Sequence, residues 1–173
     1  MFSLKKNNKQ ENLLYNDILI LSRNKFFYTN LDMIDTFQNR IHLIFVHISF
    51  IFIKVKTTKN NKIYKIFYQK MFDLIFSKIE ENMREIGHGD TYINKNMRLL
   101  VKIFYTILIK CEDYKNMDNV NKIKFLNRFF KKNKQKINPE NKGLIDYFNK
   151  YEAFCFDLTS DSVLKGQLKF NYK

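Results

Sequence analysis

The sequence contains few of the residues that interrupt a chain. Its 173 residues include 4 glycines, 1 proline, 2 cysteines and no tryptophan. So few turn-forming residues favour long helices over a sheet of many strands. The cysteines, Cys111 and Cys155, are far apart and form no Cys-x-x-Cys pair, so neither a disulfide framework nor a thiolate metal site is indicated. We expect both to be core thiols in a reducing compartment.

Acidic residues are scarce as well, and they are unevenly distributed. The chain has 17 Asp and Glu against 31 Lys and Arg, which gives a net charge of +14. No acid lies between Asp35 and Asp73, or between Asp118 and Glu140, whereas lysines recur in both intervals. A genome that favours lysine codons explains the number of lysines but not this segregation, so a polyanionic partner is the alternative. The candidate residues for a basic surface are Lys62, Lys65, Lys70, Lys124, Lys131 and Lys132.

The chain also lacks an apolar run long enough to cross a bilayer, which takes about 20 residues. The longest such run, residues 41–55, is nearly all apolar but contains four polar interruptions. This segment predicts a central helix with protein on most of its sides, and a re-entrant membrane segment is the alternative. Asp35 or Thr36 is expected to cap its start, because either side chain can accept a hydrogen bond from a free amide of the first turn.

The middle of the chain predicts a helical hairpin. Apolar residues recur at three- and four-residue steps up to Ile86, which is the spacing of one buried helix face. Gly87 and Gly89 then end the helix, because glycine adopts the left-handed conformation of a helix end at low cost; direct contact with a partner is the alternative role. Asp90 is expected to cap the next helix. The corner between the helices is therefore charged, with Met83 and Ile86 on its buried side.

The remaining segments complete an all-helical pattern. One helix is expected after Asp118, and another after Asn138-Pro139, which form a strong start signal. Residues 164–170 are expected to pack back in extended form. We therefore predict an all-α fold: a single-domain bundle of about six helices with a central buried helix and a short C-terminal extended tail. Residues 1–10 are predicted to be a flexible N-terminus, and residues 11–173 the helical domain.

No group of residues has the pattern of a catalytic or metal site. A nucleophile with its base, a pocketed carboxylate pair and a glycine-rich phosphate loop are not evident. His42 and His47 are five residues apart, about 140° around a helix, so they cannot bind one metal together. For His47, a hydrogen-bonded core position is favoured over a role as a haem ligand. We expect no enzymatic activity, no metal, no cofactor and no small-molecule substrate.

Three stretches carry a resemblance to a known family. The most specific is Asn-Met-Arg-Glu-Ile-Gly-His-Gly-Asp at residues 82–90, with Phe-Asp at 72–73 before it and Phe-Tyr at 104–105 after it. The second is Asp-Thr-Phe-Gln-Asn-Arg at residues 35–40, and the third is Gly-Gln-Leu-Lys-Phe at 166–170. In this order, and over nearly the whole chain, they resemble the ubiquinol–cytochrome c chaperone family.

The resemblance implies an assembly factor for ubiquinol–cytochrome c reductase (respiratory complex III) that binds newly made cytochrome b. Such a protein is soluble or peripheral to the inner membrane: on its cytoplasmic side in a bacterium, and in the mitochondrial matrix in a eukaryote. The ribosome, an anionic membrane surface and a second assembly factor are further implied partners. The residues that the resemblance marks as partner-binding are Asp35, Arg40, Asp73, Arg84, Glu85, Gly87, Gly89 and Asp90.

The sequence leaves two questions open. Arg84 and Asp90 either lock the corner to the segment that contains Asp35 and Arg40, or they face a partner. The function is either that of an assembly factor or that of a basic helical module that binds RNA or a membrane surface. The acidic corner argues against the second function, because acids repel phosphates.

Overall fold

The structure, a computed structural model, describes residues 9–57, 61–133 and 142–172, and most of them are helical. The elements in these ranges are α1 (Lys9–Ser22), α2 (Lys25–Thr29), α3 (Phe37–Lys56), α4 (Asn61–Glu85), α5 (Asp90–Asp113), a 3-10 turn (Tyr114–Asn116), α6 (Asn119–Phe129), α7 (Lys142–Asp157) and α8 (Ser160–Leu164). The α-helices other than the five-residue α2 and α8 have 11 to 25 residues. The predicted all-α bundle is confirmed.

Some of the features predicted from the sequence involve residues outside the described ranges. Asn138 and Pro139, the expected helix start, lie outside them. Residues 1–8 lie outside them as well, while α1 already contains Lys9 and Gln10. The predicted division of the chain at residue 10 therefore stays a prediction. Within the described ranges, no helix combines the length and the apolar character that crossing a membrane requires.

The central helix of the bundle is α3, as the sequence predicts. Its start is capped by the Thr36 hydroxyl, which accepts a hydrogen bond of 3.2 Å from the Asn39 amide. Every residue from 41 to 52 is buried, because α1, α4, α5, α7 and α8 all pack against this helix. Protein therefore covers the segment for which a re-entrant membrane position was the alternative.

Helices α4 and α5 pack against α3 through a group of aromatic rings. Phe104 of α5 lies at its centre, with ring-centroid distances of 5.3 Å to Phe45, 5.7 Å to Phe72 and 5.9 Å to Phe76. Edge-to-face contacts of this kind add about 0.5–1.5 kcal/mol each to the burial of the rings. This group fixes the hairpin on the central helix, so the position of its corner follows from the core.

Asn39 joins the start of α3 to the segment that follows α6. Its side chain is fully buried, and its Nδ2 donates to the carbonyls of Ile34 at 2.7 Å and Lys131 at 2.8 Å. Its Oδ1 accepts from the amide of Lys131 at 3.0 Å. Beside it, the Ile34 amide donates to the Lys131 carbonyl at 3.0 Å, next to the isolated bridge of Met33 with Lys132. One amide side chain therefore holds together two segments that are 92 residues apart.

His47 connects α3 with α7. Its Nδ1 lies 2.6 Å from the carbonyl of Leu43, which can only accept, so Nδ1 carries the proton. Its Nε2 then accepts from the Tyr147 hydroxyl at 2.7 Å. Complete burial lowers the pKa of His47 to about 4. Both ring nitrogens are occupied within the core, so the structure favours the hydrogen-bonded core position over a haem ligand.

The C-terminal segment packs back against α1, as expected for the extended tail. Gly166 has a φ of +74°, and a Cβ built on it would lie 2.5 Å from the carbonyl oxygen of Gln10. Leu168 is buried, and its amide donates to the Asp17 carboxylate at 3.3 Å. Gly166 is therefore required both by its backbone conformation and by the close approach of α1.

Candidate functional site

The buried histidines and cysteines of the described residues belong to the core. The described residues contain no group of three or more His, Cys, Asp or Glu residues placed to hold a metal ion. His42 is buried, and its Nδ1 donates to the carbonyl of Phe129 at 2.7 Å, while His47 is used in the core. Both cysteines are buried, and burial raises the pKa of each thiol, that of Cys155 to about 12.

The corner between α4 and α5 is exposed throughout, from Arg84 to Tyr92. It begins with Gly87 at a φ of +96°, whose amide donates to Arg84 O at 2.9 Å while the His88 amide donates to Met83 O at 3.1 Å. These two bonds form a Schellman motif, which requires the left-handed residue at Gly87. The sequence-based role of Gly87 in the turn is confirmed.

Gly89 has no such structural requirement. Its φ is −78°, and a Cβ built on it would meet nothing within 4 Å. It occupies the N-cap position of α5 without a side chain to cap the helix. The expectation that Asp90 is the cap is wrong, because Asp90 is already the first residue of α5 and its carboxylate is bound to Arg84 instead.

Arg84 is paired with an acid on each side of the turn. Arg84 Nη1 donates to Asp90 Oδ1 at 2.6 Å, and Arg84 Nη2 donates to Glu80 Oε1 at 2.8 Å. Asp35 and Arg40 form a separate two-bond pair, at 2.6 and 2.7 Å, which lowers the pKa of the Asp35 carboxyl. The alternative in which Arg84 and Asp90 lock the corner to the Asp35 segment is therefore wrong.

Two cavities lie beneath the corner, one on each side of the first turn of α3. They have volumes of about 210 and 170 Å³, and Phe37 and Ile41 line both. The first also contacts α1 and the end of α4, including Glu85 and Ile86. The second extends along α5 past Tyr92 and Leu99. We call these cavities the two grooves.

Several large apolar side chains around the grooves are exposed. The exposed fractions are 38% for Phe37, 62% for Ile86, 49% for Tyr92 and 53% for Leu99. The expectation that Ile86 lies on the buried side of the corner is wrong; Met83 is buried there, but Ile86 follows the end of α4 and points outwards. We call the surface formed by Phe37, Ile86, Tyr92, Leu99 and the two grooves the corner face.

The predicted partner-binding residues thus fall into distinct groups. Glu85 lines a groove, and Arg40 lines the same one while paired with Asp35. Asp73 lies apart: it accepts a hydrogen bond from Gln69 and is 11 residues before Arg84, or about 16 Å along α4. The apolar members of the corner face were missed as site residues. Phe37 and Ile86 each lie within one of the motif stretches, which was the available signal.

The predicted basic residues lie on two separate parts of the chain. Lys62, Lys65 and Lys70 belong to α4, where Lys70 forms an ion pair of 3.1 Å with the buried Glu11. Lys124 lies on α6, and Lys131 and Lys132 follow that helix. Partial burial lowers the pKa of Lys132. Near Lys124, a larger cavity of about 590 Å³ is lined by both cations and acids, among them Lys110, Lys124, Arg128, Asp113 and Asp118.

Comparison with known proteins identifies a family and a similar fold. The chain matches the family model described as ubiquinol-cytochrome C chaperone over residues 29–170. Its fold is similar to the crystal structure of the Cbp3 homolog from Brucella abortus, with a TM-score of 0.80, 20% sequence identity, and coverage of 96% of this chain and 91% of that one. No curated protein sequence matches it significantly. On the family match, which covers most of its length, the chain belongs to the ubiquinol–cytochrome c chaperone family.

Proposed function

We propose that this protein is an assembly factor that binds newly made cytochrome b during formation of respiratory complex III, and that the corner face is the binding surface. One observation carries the proposal. Two motif stretches that are separated in the sequence, residues 35–40 and 82–90, meet at this surface, where both expose apolar side chains. An exposed apolar surface rimmed by charges is typical of an interaction site.

Gly89 provides further support. The fold requires glycine at Gly87 and Gly166 but sets no such requirement at Gly89, where added side-chain atoms meet only open space. A partner whose backbone approaches closely would explain glycine at this exposed position. Direct contact with a partner is the alternative role that the sequence leaves open for this glycine.

The size of the two grooves also favours binding of a protein over catalysis on a small molecule. The grooves, at about 210 and 170 Å³, are smaller than the roughly 300–1,000 Å³ of typical small-molecule sites. A client that is itself a membrane protein places the assembly factor at the surface of the inner membrane, facing the compartment where the client is made. The ribosome and a second assembly factor are the further partners in this proposal.

The experiment compares two exposed isoleucines in a host that contains a cytochrome bc complex. Ile86→Asp places a charge on the corner face, whereas Ile109→Asp places the same charge at an equally exposed position further along α5; the exposed fractions are 62% and 64%. Cytochrome b should co-purify with the wild type and with Ile109→Asp but not with Ile86→Asp, and complex III content should fall only in the Ile86→Asp strain. Equal recovery with both variants would contradict the proposal.

A second candidate function rests on the cavity of about 590 Å³ beside α6, whose lining includes Lys110, Lys124 and Arg128. In this alternative, the cations bind RNA or an anionic membrane. Such binding should weaken steeply between about 50 and 200 mM salt, because each neutralised phosphate releases counterions. The acids in the same lining, Asp113 and Asp118, oppose it, so we place this function second.

A further inference from the structure

We infer that the corner face binds an apolar helix whose end carries positive charge, with that end lying against the acidic rim of the corner. This inference rests on the proposed function and specifies the chemistry of the client segment. It follows from three features of the surface: the size of its grooves, the secondary structure around it and the sign of its rim charges.

The grooves have the size of side-chain sites. Each is too small for a cofactor, but both share Phe37 and Ile41 as walls, so they lie side by side across one helical turn. Two large apolar side chains of one segment can therefore fill them together. Anchoring by residues on one face, at i and i+3, i+4 or i+7, is how an amphipathic helix binds in a groove.

The surroundings favour a helix over an extended strand. An added strand needs a free sheet edge whose backbone groups it can pair with. The elements that line the grooves are the helices α1, α3, α4 and α5 together with the corner, and the bridge of Met33 with Lys132 is the sole strand-like pair in the described residues. The occupant must therefore satisfy its own backbone hydrogen bonds, as a helix does.

The charges at the corner differ in sign from the rest of the protein. Although the chain has a net charge of +14, the end of α4 and the start of α5 carry four acids against two cations. The acids are Glu80, Glu81, Glu85 and Asp90, and the cations are Lys78 and Arg84. Glu80, Glu81 and Asp90 are in ion pairs, while the Glu85 carboxylate forms no hydrogen bond or ion pair with any residue that the structure describes.

The other charged residues that line the first groove are basic. Arg23, the residue after α1, and Arg40 both line it, but Arg40 is paired with Asp35. The surface is thus negative near Glu85 and positive near Arg23, which fits a helix with a basic end at the corner. Transmembrane helices carry an excess of Lys and Arg next to their cytoplasmic ends. A membrane-destined segment that has not yet been inserted therefore has the required chemistry.

The test uses two soluble model helices with identical leucine-rich apolar faces. One has three lysines at its end and the other has three glutamates. Fluorescence anisotropy with the wild-type protein should show about tenfold tighter binding of the lysine-ended helix at low salt, and the difference should shrink as salt is added. Equal affinity for the two helices would overturn the inference.

Protein variants then test the position of the charge. Glu81→Lys combined with Glu85→Lys should remove or reverse the preference, and folding should be retained because lysine is favourable at the end of α4. Ile86→Asp should weaken both helices, and Ile109→Asp should weaken neither. A preference that survives the double lysine variant would place the charge selection elsewhere and overturn the inference.

The outcomes also separate this inference from the proposed function. If cytochrome b recovery depends on Ile86 but neither model helix binds, the client surface is right and the charged-helix occupant is wrong. If the lysine-ended helix is preferred but cytochrome b is not recovered with the wild type, the occupant is right and the client is a different membrane protein.

Discussion

Replacement of Asn39 by alanine removes few atoms, but it should destabilise the protein strongly. The side chain forms three hydrogen bonds in a fully buried position, at 2.7, 2.8 and 3.0 Å. At about 1 kcal/mol for each bond, the loss is about 3 kcal/mol, and the Lys131 amide loses its acceptor. For a protein of this size, that lowers the melting temperature by roughly 6–12 °C.

The assay is urea and thermal denaturation followed by circular dichroism. Asn39→Asp retains the shape and the acceptor for Lys131 but faces two carbonyls with a carboxylate, so it should be at least as destabilised as the alanine variant. Asn94→Ala is the matched control, because Asn94 is exposed on α5, and it should change stability by no more than about 0.5 kcal/mol. A loss below about 1 kcal/mol for Asn39→Ala would show that water replaces these bonds and would refute the reasoning.

Three further predictions concern glycine, histidine and the corner. Gly166→Ala should cost about 1–3 kcal/mol in denaturation, whereas Gly89→Ala should leave stability unchanged and weaken client recovery; equal effects of the two changes on stability would contradict the structure. The pKa of His47 is lowered to about 4, so the unfolded chain takes up a proton that the folded chain does not. The free energy of unfolding should therefore fall by up to about 3 kcal/mol as the pH drops from about 6.5 to 4, less steeply in His47→Gln, and a parallel loss in that variant would argue against His47 as the cause. Arg84→Ala should leave the melting temperature nearly unchanged, because its ion pairs are exposed, while cytochrome b recovery falls; a large drop in melting temperature would assign Arg84 to the fold instead.

Local signals made much of the fold predictable. The apolar run of residues 41–55 predicts the buried α3, and Asp118 does cap α6 with a bond of 2.7 Å to the Asn121 amide. Such features depend on residues close together in the sequence. By contrast, Asn39 bonds to Lys131, and His47 bonds to Tyr147. These contacts join segments about 100 residues apart, so no local pattern indicates them.

The corner illustrates the same limit. Its existence follows from the glycines, but its details depend on where α4 ends. The helical spacing placed Ile86 with the core, whereas the chain leaves helical geometry after Glu85 and turns Ile86 outwards. Asp90 suits a cap by residue type, yet the nearby Arg84 offers its carboxylate a full positive charge at 2.6 Å, whereas a free helix amide offers only a partial charge. Competition between neighbouring partners decides such positions, and a single sequence does not reveal it.

The packing of the tail on α1 has a consequence for the timing of synthesis. The amide of Leu168 bonds to Asp17, 151 residues earlier in the chain, and Gly166 fits against Gln10. At about 5–20 residues per second, translation needs roughly 8–30 seconds to produce the tail after α1 has been made. During that interval α1 lacks its final cover. The bundle can therefore be completed only when nearly the whole chain has been made, and its N-terminal helix has to wait incompletely covered for most of the protein's own synthesis.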